Sequence, residues 1–254
     1  MPLHIATHPL IAHKMTILRD VNTPSHDFRR VLREITFYLG YEATRNLEVA
    51  NIEIKTPATV TEGCKLTESI SIIPILRAGT GMCDAMLDLL PTAAIHHIGE
   101  KKEQPLPSKK FIVTSDRYFL LPGMYRSKGT RLPVQYYNRL PKEQASDVAY
   151  ILDPCIATAE TIRAVCSIVE RWGAKKIVVV AVVGAKEGVE KLLALHPNLE
   201  IFIAALDDGL SAEGMVLPGI GDAGDRLFGT PSERIDDVYD DSSKKQKLGD
   251  SATN

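Results

Sequence analysis

The stretch VAYILDPCIATAETIRAVCSIV, residues Val148 to Val169, decides how this chain is read. An apolar run, Val148-Ala149-Tyr150-Ile151-Leu152, ends at a single acid, Asp153. Apolar residues then return at helical spacing, at Ile162, Val165, Cys166 and Val169. The order is strand, loop, helix, with a carboxylate at the strand's end. Free N–H groups at the start of such a helix point into the junction and can hold a phosphate. Ala159 and Glu160 stand where a phosphate cradle prefers glycine, and Glu160 is an anion. Glu160 also has an explanation that needs no ligand. Thr158 is a good N-cap, and an acid in the first turn suits the helix dipole.

The same alternation runs outward from this stretch. Ser69 to Leu76 is a short apolar strand ending at Arg77-Ala78-Gly79, followed by helix-like Met82 to Leu90 and a short strand at Ala93 to Ile98. Downstream, Ile177 to Val183 and Glu200 to Leu206 are strands, separated by an amphipathic helix over Lys186 to Leu195. Near the N-terminus, Phe28, Val31, Leu32, Ile35 and Leu39 predict a helix that starts near Ser25. Strands alternating with helices predict an α/β fold whose mostly parallel sheet is covered on both faces. Ligands of such sheets sit at the carboxyl ends of the strands, where Arg77, Asp153 and Asp207-Asp208 fall.

Composition narrows the function. At 254 residues, 44% hydrophobic and 24% charged, the chain can bury a full core. A formal net charge of −2 gives no bulk attraction to nucleic acid. No apolar run reaches the roughly 20 residues of a membrane span, and MPLHIATHPLIAHK has no basic region followed by a long apolar core, which argues against a secretory signal. The expected setting is cytoplasmic. Cys64, Cys83, Cys155 and Cys166 form no C-x-x-C pair and are read as reduced thiols. Cys155 lies in the loop of interest and is either a reactive thiol or, as the favoured reading, a half-buried packing residue. The histidines are read as packing and hydrogen-bonding residues, with His96-His97 in a strand and facing opposite ways.

Two further segments carry chemistry. In IIPILRAGTGM, Ile72 to Met82, Gly79 and Gly81 let the backbone come close to a ligand, and Arg77 can clamp an oxyanion. GMVLPGIGDAGDRLFGT, Gly214 to Thr230, holds five glycines, one proline and two aspartates. It reads as a long ordered loop serving a site. Asp222 and Asp225 can cap turns or bind metal, and capping is the commoner use.

Taken together, HPLIAHKMTILRD, IIPILRAGTGM, HHIG followed later by MYR, PVQYYNRLP, LDPCIAT and LPGIGDAGDRLFGT resemble the uracil phosphoribosyltransferases, in that family's order from His8 to Thr230. The resemblance implies the type I phosphoribosyltransferase fold, a mostly parallel sheet flanked by helices with a projecting β-arm. It implies a pyrimidine-salvage glycosyltransferase, in which uracil and phosphoribosyl pyrophosphate (PRPP) give UMP and pyrophosphate with Mg²⁺. Arg77 and Arg126 would contact the pyrophosphate, with Asp222 facing the ribose or metal side of the catalytic centre. Asp153, Pro154, Cys155, Ile156, Ala157, Thr158, Ala159, Glu160 and Thr161, with Asp222, would bind PRPP. Met215, Val216, Gly221, Asp222 and Ala223 would bind uracil. Mg²⁺ would be held mainly through PRPP, with no dedicated protein ligand. A homodimer or homotetramer and a GTP effector are further expectations, and no nucleic-acid or membrane partner is expected.

The chain departs from the family pattern in places. The family's phosphate loop is typically A-T-G-G-S/T, against Ala157-Thr158-Ala159-Glu160-Thr161 here. If position 159 requires positive φ, alanine costs about 1 kcal/mol, and Glu160 is harmless only if its side chain turns outward. Met215 replaces a usual tyrosine. Residues 100–123 are inserted between HHIG and MYR, where they would lengthen the arm as a surface hairpin. One domain over residues 1–230 is therefore expected, with 231–254 a largely disordered extension. The competing reading is a weakened relative that binds nucleotide and acts as a regulator or scaffold. A phosphoribosyltransferase for another base is a third reading.

Overall fold

The computed structural model describes residues 2–100, 135–138, 140–141 and 145–230. Arg126, residues 101–123 of the inserted segment and the extension 231–254 lie outside the described residues. The chain begins with β1 (Leu3–Ile5), α1 (Pro9–Arg19) and α2 (Ser25–Ala43), then an antiparallel ribbon of β2 (Val49–Lys55) and β3 (Val60–Leu66). β4 (Ile70–Pro74) runs through a 3₁₀ turn at Ala78–Met82 into α3 (Cys83–Leu89). The short strands β5 (Ala94–Ile95), β6 (Ile98–Glu100) and β7 (Gln135–Asn138) follow. Next come β8 (Val148–Leu152), β9 (Cys155–Ile156), α4 (Glu160–Trp172), β10 (Lys176–Ala185), α5 (Lys186–Leu195) and β11 (Glu200–Asp207). The described part ends with β12 (Gly209–Leu210), β13 (Val216–Leu217) and α6 (Ala223–Phe228).

Seven strands make the central sheet, in the order β1-β11-β10-β8-β4-β5 with β9 also on β10, and every pair is parallel. A parallel sheet needs cover on both faces, and the side chains supply it by alternation. Val148, Tyr150, Leu152, Val178 and Val180 point to a core shared with Phe28, Leu32, Ile35 and Met86 of α2 and α3. Ala149, Ile151, Ile177 and Val179 point to the opposite core, with Ile162, Val165, Val169 and Leu192 of α4 and α5. The expected α/β architecture is therefore present.

β4 and β8 are neighbours with Pro74 opposite Leu152, yet they lead in opposite directions. β4 connects through α3 to β5 on one side, and β8 through α4 to β10 on the other. This is a topological switch point, where the connections part and leave a crevice at the strands' carboxyl ends. Arg77 and Asp153 sit on its two sides.

Two local expectations need correction. His96 and His97 lie between β5 and β6 rather than in a strand; the His96 N–H bonds the Ile72 carbonyl at 2.9 Å and its ring meets Trp172 edge-on at 5.5 Å. Thr158 is not the N-cap of α4. That position falls to Ala159, because the chain turns through a left-handed residue there before the helix begins.

Candidate active site

The phosphate loop forms where β8 gives way to α4. Residues 155–162 line a concave cradle around the start of α4, whose first amides have no intrahelical acceptors. Ala159 has φ 63° and ψ 0°, among the described residues the one non-glycine at positive φ. The conformation that glycine would supply is thus kept with a side chain, at about 1 kcal/mol. The Glu160 carboxylate accepts from Arg163 Nη2 at 2.7 Å and from the Lys191 ammonium on α5. The Lys191 hydrogen bond is the main cause holding the Glu160 carboxyl below its ordinary value, and Arg163 adds to it. Thr158 and Thr161 flank these residues on the cradle.

Asp153 follows β8, and its Oδ1 accepts the Cys155 N–H at 3.4 Å. Burial pushes the Cys155 thiol well up, and the carboxylates of Asp153, Asp222 and Asp207 push it further. Two inferences follow. An upward shift disfavours the thiolate, which supports the reading of Cys155 as a half-buried packing residue over the reactive thiol. The three acids, far apart in sequence, all lie near enough to Cys155 to act on its thiol.

Arg77 approaches from the other side. Its Nη2 bonds Asp225 Oδ1 at 2.9 Å, which also accepts the Thr230 hydroxyl at 2.6 Å. The turn that carries Arg77 is pressed against β8, since a Cβ on Gly79 would lie 2.2 Å from the Leu152 carbonyl oxygen. Asp222 caps α6, its Oδ1 accepting the Asp225 N–H at 3.0 Å. Between the two uses weighed for Asp222 and Asp225, the structure shows capping and an ion pair. Among the described residues, no group of three or more His, Cys, Asp or Glu side chains is placed to hold a metal ion.

The loop Gly214 to Thr230 is held by residues remote in sequence. Asp207, at the end of β11, accepts from Arg19 Nη1 at 2.8 Å and Nη2 at 2.6 Å, and from the Gly219 N–H at 2.8 Å. Arg19 Nη1 also donates to the Gly219 carbonyl at 2.8 Å. Gly219 needs its identity: φ is +61°, and a Cβ would lie 2.1 Å from the Val216 carbonyl oxygen. Arg226 donates to the carbonyls of Leu18, Ile220 and Asp20, and its guanidinium lies 4.4 Å from the centre of the Phe28 ring. Val216 and Ala223 are buried, Met215 is exposed, and Gly221 has φ 72°.

Arg77 and Asp153 lie after the carboxyl ends of β4 and β8, beside the phosphate loop, and Asp222 comes close to Arg77 across Gly224, while Arg126 lies outside the described residues. Sequence reasoning assigned no role to Arg19, Arg163, Lys191 or Arg226. Arg19 and Arg226 stood inside quoted motifs, and that was their signal. Arg163 and Lys191 gave none.

Residues 5–230 match the family model described as uracil phosphoribosyltransferase. The chain is similar to uracil phosphoribosyltransferase of Roseiflexus castenholzii, at 42% identity over 89% of this chain and 97% of that protein. It is also similar to that of Thermosipho melanesiensis, at 39% identity over 91% of this chain and 100% of that protein. In shape it is similar to the AQ2163 protein of Aquifex aeolicus, with a TM-score of 0.76 at 28% identity, covering 91% of this chain and 100% of that one.

Proposed function

The chain belongs to the uracil phosphoribosyltransferase family, and from that premise we infer how its site works. It transfers the phosphoribosyl group from PRPP to uracil, giving UMP and pyrophosphate. The observation that carries this reading to particular residues is the crevice between β4 and β8, with Arg77 on one side and Asp153 and the α4 amides on the other. Residues 157–161 bind the 5′-phosphate mainly through main-chain N–H groups. Asp153 accepts from the ribose hydroxyls. Arg77, joined by Arg126, neutralises the charge that grows on the departing pyrophosphate, which is electrostatic stabilisation aimed at the transition state.

The Arg77–Asp225 pair bears on this step. The two side chains are 48% and 22% exposed, so the pair is wet and loosely held. Arg77 can exchange one anion for another when pyrophosphate oxygens arrive. Asp225 meanwhile keeps the guanidinium at the mouth of the crevice. Uracil lies against the loop of Met215, Val216 and Gly221 to Ala223, whose main-chain groups read its O2, N3–H and O4. Cytosine would leave those groups mispaired.

Mg²⁺ usually binds substrate phosphates with one or two carboxylates, and Asp222 and Asp153 fit that donor set beside PRPP. When bound, it would offset pyrophosphate charge. The β2–β3 ribbon leaves Val49, Ile52, Ile54, Val60 and Leu66 exposed. A lone two-stranded ribbon is marginally stable, so a second copy covers it in a homodimer or a larger even assembly. Among the described residues no helix is long and apolar enough to cross a membrane, and a cytoplasmic setting rests on the family resemblance. GTP as an effector rests on the family resemblance alone.

The test is to supply uracil, PRPP and Mg²⁺ and to follow UMP and pyrophosphate. No UMP from the full chain would overturn the reading. The weakened-relative alternative drew on Ala159 and Glu160. Ala159 keeps the left-handed turn and Glu160 is paired, which supports the active enzyme over that alternative.

A further inference from the structure

On the reading just given, residues 157–161 surround a phosphate monoester, and Glu160 is their one acid. An unpaired carboxylate there would repel a dianion. Three observations describe how this chain accommodates it. The carboxylate is shared by two cations, Arg163 one turn along α4 and Lys191 on α5, so the cluster as a whole is positive. α5 is pressed onto the loop, because a Cβ on Gly188 would lie 1.9 Å from the Ala157 carbonyl oxygen. That close approach brings Lys191, three residues further along the helix, beside Glu160. A carboxyl is charged at neutral pH, and Lys191 first, with Arg163, holds this one further below its ordinary value.

We propose that Lys191 is a positioning residue for phosphate binding: with Arg163 it draws the Glu160 carboxylate toward α5 and cancels its charge at the edge of the phosphate loop. Lys191 does not touch the substrate. It acts through Glu160, and so its importance depends on the acid being there. In a loop with glycine at this position it would have nothing to neutralise. The inference rests on the phosphoribosyltransferase reading of the site.

The experiment is calorimetric titration of the full-length protein with UMP, which needs no turnover. Lys191→Met weakens UMP binding about tenfold, because the cluster falls from net positive to neutral and its carboxylate is no longer drawn toward α5, away from the dianion. Lys191→Arg keeps the affinity. The Glu160→Gln, Lys191→Met double variant returns to within about threefold of the unaltered chain, because the charge that required Lys191 is gone. A purely structural lysine would not be rescued by removing Glu160. The proposal is overturned if Lys191→Met binds UMP like the unaltered chain, or if the double variant stays as weak as the single one. If the unaltered chain binds no UMP, the reading of the site itself falls, and this inference falls with it. Thermal melts of each variant establish that it is folded.

Discussion

The phosphate loop and the base loop solve the same task, holding main-chain groups toward a ligand, by different means. Around Ala157 to Thr161 the backbone is fixed locally, by the left-handed turn at Ala159 and the start of α4. Its side chains are free to vary if the turn and the charge balance survive, and Glu160 with Lys191 and Arg163 is such a variation. Around Gly214 to Thr230 the backbone is fixed from a distance. Arg19 and Asp207 bracket Gly219, and Arg226 ties the loop to the end of α1. The first loop tolerates sequence change within itself. The second depends on residues about two hundred positions away, through mostly part-buried hydrogen bonds.

Breaking the distant support should have the largest effect. The Asp207 side chain is 5% exposed and holds both Arg19 nitrogens. Asp207→Ala leaves a part-buried guanidinium without its anion and frees the Gly219 N–H, and should lower stability by about 3 kcal/mol. A urea titration measures it, and a loss under about 1 kcal/mol would place this pair with ordinary surface ion pairs.

Next comes the side chain that lies between the loops. Arg77→Met should lower kcat/KM for PRPP by about 10²–10³-fold, the range for removing one preorganised donor. Stability should barely change, because its pair with Asp225 is exposed. Steady-state kinetics beside a thermal melt separates the two. Unchanged kinetics would remove Arg77 from the site.

The turn inside the phosphate loop should respond oppositely to the base loop, by gaining from substitution. Ala159→Gly removes the left-handed strain and should stabilise by about 1 kcal/mol, visible as a melting temperature raised by a few degrees. A fall in melting temperature would mean that the buried Ala159 methyl matters more to packing than its φ does to strain.

The smallest effect is the pH dependence of the Glu160 pair. Its carboxyl is held below the usual value of 4.5 in the folded chain, first by Lys191. A depressed acid stabilises the fold above its unfolded pKa, and that contribution is lost as pH falls through the folded one. The unaltered chain should therefore lose slightly more stability than Glu160→Gln between neutral pH and the region below 4.5. Parallel acid-limb profiles for the two proteins would show that the pair contributes nothing.

The same contrast explains what could be read in advance. The sheet was legible because Val148 to Leu152 and Ile177 to Val183 are apolar on both faces, and because Arg77 and Asp153 punctuate strands. Positive φ at position 159 was legible as a condition, through the expected glycine. The fate of Glu160 was not, since nothing in local spacing joins it to Lys191, 31 residues on. The roles of Arg19 and Arg226 were hidden for a similar reason, although both stood inside quoted motifs: Arg19 pairs with Asp207, 188 residues on, and Arg226 bonds main-chain carbonyls, which carry no sequence signal. The β2–β3 ribbon was missed although Ile52 and Ile54 alternate with Glu53 and Lys55; the alternation is short, and in the fold neither strand has a buried face.

One further consequence attaches to the antiparallel pair β6 and β7. Ile98 lies opposite Asn138 and Gly99 opposite Tyr137, so Glu100 and Gln135, the ends of the two strands, are neighbouring points. Closing a longer excursion between fixed anchors adds only about 0.6 kcal/mol per doubling of length. Evolution can thus lengthen or shorten what joins those gateposts at little cost to the register of the parallel sheet, so long as Arg126 keeps its reach to the crevice.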